Sequence, residues 1–416
     1  MSSLFLTMTG AAQSRDATFG LADMARLMVA LAIAASGVVF SEPAPVDLIM
    51  IAVIALLPLA GLQTYSVALF GFLLLWLACG AGALLAAMNS TDWLRSTIHT
   101  GVSFYLYLVT FVLAAFIATS PRTHTVLILR ASVVGAVVAA TAALVGYFHL
   151  VPGAFELFTK FGRAAGTFKD PNVLGPFLVP AILYCLHLVI TGSWRQARVP
   201  LVLAAFLSLA LLLSFSRGAW INLAVALVVY GYVAFVIAPT AVDRLRLVVL
   251  GTAGLALLAS VVIVAVQFES VAALLAERSS LEQGYDVGPE GRFGGHEKAK
   301  ALILDNPFGI GATQFASLHH HEDVHNVYLS MFLNAGWLGG VLYGLVVGMT
   351  LLLGLRHMAR DTVCRPLFAI AYAALLGNVV EGLVIDTDHW RHFYVLLAIV
   401  WGLMTASRAT ETAEVR

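Results

Sequence analysis

Charge is what this chain has least of. Only 11% of its 416 residues are Asp, Glu, Lys or Arg, against about 25% in soluble domains. A water-facing surface around a core of this length cannot be built from so few. Cysteine is nearly absent too: Cys79, Cys185 and Cys364 each stand in apolar surroundings, which excludes a disulfide framework. No segment repeats and none is of low complexity, so solenoids fall away. The first twenty residues are polar and lack the basic, apolar, small-residue order of a cleaved leader, so none is expected. Lys+Arg and Asp+Glu both number 23, and a net charge of zero leaves no bulk attraction for nucleic acid.

What the chain has instead is hydrocarbon. Sixty per cent of its residues are hydrophobic and the mean hydropathy is +0.92. A helix crosses the apolar core of a bilayer with roughly 20 such residues. Twelve runs qualify: 21–40, 46–62, 66–88, 100–119, 126–149, 173–191, 199–215, 218–238, 247–267, 326–354, 366–385 and 391–407. The composition therefore predicts an all-α polytopic membrane protein of about 12 transmembrane helices. It forms a single membrane domain over 1–416, and 268–325 is the one long polar segment within it.

Loop charges orient the chain. With the N-terminus in the cytoplasm, the short cytoplasmic links hold Arg195, Arg198, Arg244, Arg246, Arg356, Arg360 and Arg365. That side collects thirteen of the 23 basic residues and six of the 23 acidic ones; the opposite side collects the remainder. An even number of spans returns the C-terminus to the cytoplasm.

Four links on the external side then hold the densest polar sequence: GRAAGTFKDPN (162–172), SFSRGAW (214–220), the segment 268–325 and DTDHWRHF (386–393). Polar groups are costly at a membrane boundary, so their clustering near helix ends points to a shared cavity. Arg217 has only Ser214, Ser216 and Gly218 for polar company. A glycine that opens the helix there would free N–H groups to join the guanidinium in an anion site; the plain alternative is an arginine reaching to the interface. Arg292 lies in GPEGRFGG, before a helix expected near 295–304, where Gly291, Gly294 and Gly295 permit close approach to a ligand. Arg163 and Lys169 flank Gly162 and Gly166, and Asn172 is expected to cap the following helix.

His325 precedes Asn326 at the start of an apolar run. A neutral histidine at that boundary can take a proton from a hydroxyl, and a helix N-terminus would keep it neutral. The run His319, His320 and His321 invites a metal reading, with His321 and His325 on one helix face and Asp323 adding oxygen. No second cluster has zinc spacing, so no metal and no other cofactor is expected. Asp386, Asp388, His389 and Arg391 form a further polar knot, placed to position His325 or Arg292 or to cap two helices.

Taken in order, GRAAGTFKDPNVLG, SRGAW, GR followed by DNPFGIGATQF, and HNVYLSMFLNAGWLGG resemble the O-antigen ligase and polymerase superfamily over about 162–340. The resemblance implies a GT-C-like membrane fold and an inverting, metal-independent glycosyltransferase of the bacterial inner membrane. It implies an active site facing the periplasm and a glycan donor linked to undecaprenyl diphosphate. A ligase passes the glycan to a sugar hydroxyl of lipid A–core; a polymerase of O-antigen or exopolysaccharide repeats passes it to another repeat unit. On the family's motifs, Arg217 and Arg292 fall on its two arginines and His325 on its histidine, and these three are the expected catalytic residues. Asp386 or Asp388 falls near a family aspartate; Asp388 is taken with Arg163, Lys169 and Asn326 for substrate contact. The expected partners are the lipid-linked donor, the lipid A–core acceptor and the bilayer. A lipid-linked glycan transporter is the reading of another class, but the polar residues gather at one face and not at the midplane.

Overall fold

The computed structural model describes residues 20–267 and 288–414. The part of the long external segment over 268–287 lies outside the described residues, as does the N-terminal stretch 1–19. Apolar backbone in lipid has no water to bond, so it must satisfy its own N–H and C=O groups. Helices are accordingly almost all there is. In chain order they are α1 (Leu21–Ala35), α2 (Pro45–Leu59), α3 (Val67–Met88), α4 (Trp93–Thr119), α5 (Pro121–Tyr147) and the short α6 (Ala154–Phe158). After a ribbon of β1 (Thr159–Lys160) and β2 (Arg163–Ala164) come α7 (Pro171–Thr191), α8 (Trp194–Leu213), α9 (Arg217–Ile237) and α10 (Ala241–Ala265). Then follow α11 (Arg292–Asp305), a π-turn (Phe315–His319), α12 (Val327–Met358), α13 (Arg365–Glu381) and α14 (Arg391–Glu414).

Local chemistry sets the starts. Side chains of Ser66, Asp92, Asp170, Ser216 and Asn326 cap α3, α4, α7, α9 and α12, and Pro45, Pro121 and Pro171 occupy first helical positions. The cap of α7 is Asp170, not Asn172 as the sequence suggested; the Asn172 side chain is used elsewhere. The ribbon turns at Phe161 and Gly162, both left-handed, which is the geometry of a tight two-residue hairpin.

Each of the twelve apolar runs lies on a helix. Among the described residues seven helices are long and apolar enough to cross a membrane: α3, α4, α5, α7, α8, α9 and α12. The chain is thus a helical, multi-pass membrane protein. The helices α1 and α2 have 15 residues each and are about 22 Å long, shorter than the roughly 30 Å of a hydrocarbon core.

Contacts sort into two ends. At one end Thr64 bonds to Ala115, Arg26 to His124, and Arg246 to Val189 and Gly192. At the other end the 36–44 link bonds to 167–169, Thr91 to Gln314, Arg163 to Ser214, and 325–330 to 382–386. The described parts of the links grouped on the external side therefore share one end. A bidentate ion pair of Arg391 with Asp47, both contacts 2.7 Å, joins the starts of α14 and α2 there. Arg391 is thereby held by α2 and not by the neighbouring polar knot.

Helix pairing follows small residues. The main partners are α3 with α12, α4 with α14, α7 with α8, and α9 with α13. A Cβ on Gly82 of α3 would come within 2.6 Å of the Ala335 carbonyl of α12, so the two backbones meet at a glycine.

The helix α12 is broken at Gly336, whose φ of 65° and ψ of −173° belong to glycine alone. In an unbroken helix the Trp337 N–H would bond to the Leu333 carbonyl. Here Trp337 donates to the Pro307 carbonyl at 2.9 Å, and Leu333 accepts from Ile310 at 2.9 Å and Gly311 at 3.2 Å. The loop 307–311 thus replaces the missing helical bond. Gly309 and Gly311, both left-handed, let it come that close: a Cβ on Gly309 would meet Gly336 N at 2.7 Å.

Replacing Gly336 with Ala therefore meets both a forbidden backbone and the Phe308 carbonyl. We expect Gly336→Ala to cost more than about 2 kcal/mol, read as a lowered thermal midpoint of the detergent-solubilised protein. An unchanged midpoint would mean that the 307–311 loop does not clamp the kink.

Candidate active site

His325 is the last residue before the Asn326 cap of α12, and its φ of 53° places a non-glycine residue in the left-handed region. Phe215, two residues before Arg217, is left-handed as well, with φ 46°. Backbone strain of this kind persists only where surroundings enforce it, and with Thr313 at φ 67° it falls on three of the motifs. At His325 the enforcing contact is Asp386: one carboxylate oxygen accepts the His325 backbone N–H at 3.0 Å and the other accepts the Ser330 hydroxyl. Burial of this carboxyl, with Asp388 nearby, pushes its pKa up to about 7.

The His325 ring is half-buried, with Nε2 3.7 Å from Glu322 Oε2. Its pKa lies below the ordinary 6.5, first because burial disfavours the cation and next because Arg292 is positive. Glu322, Asp323 and Asp170 oppose this more weakly. The imidazole is thus neutral at neutral pH, as expected, but burial is the main cause and not the helix terminus.

Arg292 opens α11 and donates from Nη2 to the Val384 carbonyl at 2.8 Å. It is close enough to lower the pKa of both His325 and His296. The structure therefore brings Arg292 and His325 together, with Asp386 and Val384 of the last external link between them. Two of the nearby glycines serve packing and not ligand approach: a Cβ on Gly294 would strike the Pro289 carbonyl, and one on Gly295 the His320 ring.

Arg217 is the first residue of α9, behind the Ser216 cap. Gly218 does not open this helix. It makes room for Glu381, whose Oε1 would lie 2.8 Å from a Cβ there, while Glu381 Oε2 accepts from Asn222 at 2.7 Å. The next residue after Glu381, Gly382, accepts the Val327 N–H at 2.9 Å. The helix that Arg217 opens is thus packed, through Gly218 and Asn222, against Glu381, just before the 382–386 stretch that holds Val327 and His325.

The remaining sequence-derived residues divide. Arg163 is only 7% exposed; its Nε donates to the Ser214 carbonyl and its Nη2 to Asn172 Oδ1, both at 2.7 Å. It anchors the turn before Arg217. Lys169 lies on the surface, 3.6 Å from Glu42. Asn326 accepts from Tyr328 and Leu329 and donates to the Leu383 carbonyl, so it caps and straps. Asp388 faces the other way, its Oδ2 3.8 Å from His99 Nε2. Between the two aspartates left open by the sequence, Asp386 is the one that touches His325. Ser330 and Glu322 carried no sequence signal.

His321 and His325 do not share a helix face, because 320–326 is irregular. A cleft of about 520 Å³ lies between Asn89, Thr91 and 305–319, lined by part of the DNPFGIG motif. Its lining includes none of Arg217, Arg292 or His325.

Removing Arg163 strips two charge-assisted bonds from a buried site. We expect Arg163→Ala to lose about 2 kcal/mol of stability, and Arg163→Lys to recover little, since an ammonium cannot span both acceptors. Thermal midpoints of the two variants check this; full recovery by lysine would count against the anchoring role.

Residues 201–344 match a family model described as O-Antigen ligase. No curated protein matches the chain. The matched stretch runs from within α8 to within α12 and contains Arg217, Arg292 and His325. Its family implies a glycosyltransferase-like enzyme acting in O-antigen processing. The match covers the stretch that holds three of the four ordered motifs and supports the resemblance of that stretch to the O-antigen ligase and polymerase superfamily.

Proposed function

We propose that the chain is an O-antigen ligase of the bacterial inner membrane, with twelve membrane passages, a GT-C-like fold and its polar end in the periplasm. It moves a glycan from undecaprenyl diphosphate to a sugar hydroxyl of lipid A–core, with inversion at the anomeric carbon. The observation that carries this reading is the junction at 381–386, where a neutral histidine and two arginine-bearing helix starts come to one end of a membrane bundle.

The chemistry follows from the groups present. The acceptor oxygen attacks the anomeric carbon as the bond to the diphosphate breaks. His325 takes the acceptor's proton, and Glu322 and Asp323 favour the imidazolium that results. The diphosphate leaves as a weak base, so it needs no proton but does need positive charge. Arg217 and Arg292 supply that charge, each worth about 10²–10³ in rate, and the base contributes about 10²–10⁴. Arg163 supports Arg217 from behind, and Asp386 holds the base in place.

Transfer from a defined undecaprenyl diphosphate glycan to lipid A–core by the purified protein tests the reading. Arg217→Ala, Arg292→Ala and His325→Ala should each abolish detectable transfer while the protein still inserts and purifies. Full activity in His325→Ala removes the assigned base. Lengthening of the lipid-linked glycan in place of labelling of lipid A–core would make the enzyme a polymerase. The pH profile supplies a further check. Burial and Arg292 hold the His325 pKa below the ordinary imidazole value, so the acid limb of the rate profile should lie at lower pH than that of an ordinary imidazole base. In Arg292→Gln, which removes the positive neighbour, the His325 imidazole should titrate at a higher pH, read by NMR and not by rate.

A further inference from the structure

The histidine run at 319–321 has no part in the transfer chemistry, yet one of its members is placed unusually. The His320 side chain is 1% exposed, and neither ring nitrogen has a hydrogen-bond partner among the described residues. A buried imidazole nearly always bonds to something. Its nearest acceptor is Glu290 Oε2, 3.4 Å from Nδ1 but outside bonding geometry. The same oxygen lies 3.8 Å from His321 Nδ1. Glu290 Oε1, meanwhile, is held by Lys298 at 2.7 Å, which turns Oε2 toward the two histidines.

Those spacings have a simple chemical meaning. Ligands at about 2.0–2.1 Å on a tetrahedral ion lie about 3.3 Å from one another. Ligand atoms from Glu290, His320 and His321 all fall within 4.8 Å of each other, so small rotations bring three donors to that spacing. Two imidazoles and one carboxylate suit a zinc-type divalent cation, with water completing the shell. Gly295 is needed for the arrangement, because a side chain there would meet the His320 ring at 3.0 Å. A second trio, His99, Asp388 and His389, is less apt. Its two rings are stacked, centroids 3.8 Å apart at 25°, so their in-plane lone pairs run side by side and do not converge.

We propose that Glu290, His320 and His321 form a binding site for a zinc-type divalent cation that clamps the start of α11 to the segment leading to His325. Glu290 is two residues before Arg292, and His321 is four before His325. The ion therefore ties together the backbone on which both groups stand without taking either of them as a ligand. The lysine on Glu290 orients one ligand from outside the shell.

The test uses the full-length, untagged protein in detergent, stripped with a chelator and titrated with Co²⁺ and then Zn²⁺. Wild type should bind one equivalent of Co²⁺ at micromolar concentrations with the intense visible bands of tetrahedral cobalt. Zn²⁺ should displace it and raise the thermal midpoint. Glu290→Gln and His321→Ala change exposed side chains, so they should fold. Each should weaken binding at least about 10-fold and abolish the zinc-dependent rise. No cobalt bands in wild type, wild-type affinity in either variant, or an equal thermal rise in the variants would overturn the proposal. Neither donor nor acceptor is present in this measurement. It can fail while transfer survives, and transfer can fail while the ion still binds.

Discussion

Everything at the polar end hangs from one exchanged hydrogen bond. The break at Gly336 leaves Leu333 and Trp337 without each other, and the loop 307–311 satisfies both. Orphaned backbone groups away from water are costly, so the loop and the helix form as one unit. The loop is continuous with α11, which begins at Arg292, and α12 begins just after His325. A constraint within α12 thereby links the two elements that carry Arg292 and His325.

The last external link completes the frame. Through Gly382, Leu383, Val384 and Asp386 it receives bonds from Val327, Asn326, Arg292 and His325, and Glu381 just before it lies against Gly218 of α9. Short stretches of backbone acceptors are well suited to this. Gly382, Leu383 and Val384 accept through uncharged carbonyls, and only Asp386 accepts through a carboxyl group. The carboxylates explain why burial has to do most of the work of keeping His325 neutral.

Hydropathy made the helices legible, because a lipid-facing backbone has so few alternatives. All twelve runs became helices, and the grouping of the polar links at one end followed from Arg195, Arg198, Arg244, Arg246 and their neighbours. The ordered motifs likewise led to the stretch the family model matches. Glycine was read less well. Gly218, Gly294 and Gly295 were expected to open backbone toward a ligand, but they accept the close approach of Glu381, Pro289 and His320. A glycine's freedom shows in sequence; the neighbour that uses it does not. The same holds for Asp386 and Asp388. Two residues apart, they face opposite partners, and only the turn of the link decides which one meets His325. Helix length was overestimated for α1 and α2 because apolar residues continue into the links beyond their ends.

The left-handed backbone at His325 sets two selective pressures against each other. Asparagine and glycine sit in that conformation more readily than histidine does. The substitutions best able to relax the turn are therefore those that discard the imidazole. With His325 as the proposed base, a lineage drifting toward greater robustness at this position would trade away that role, and a lineage keeping it must carry the tension and recover it elsewhere, for instance in the grip of Asp386 on the N–H.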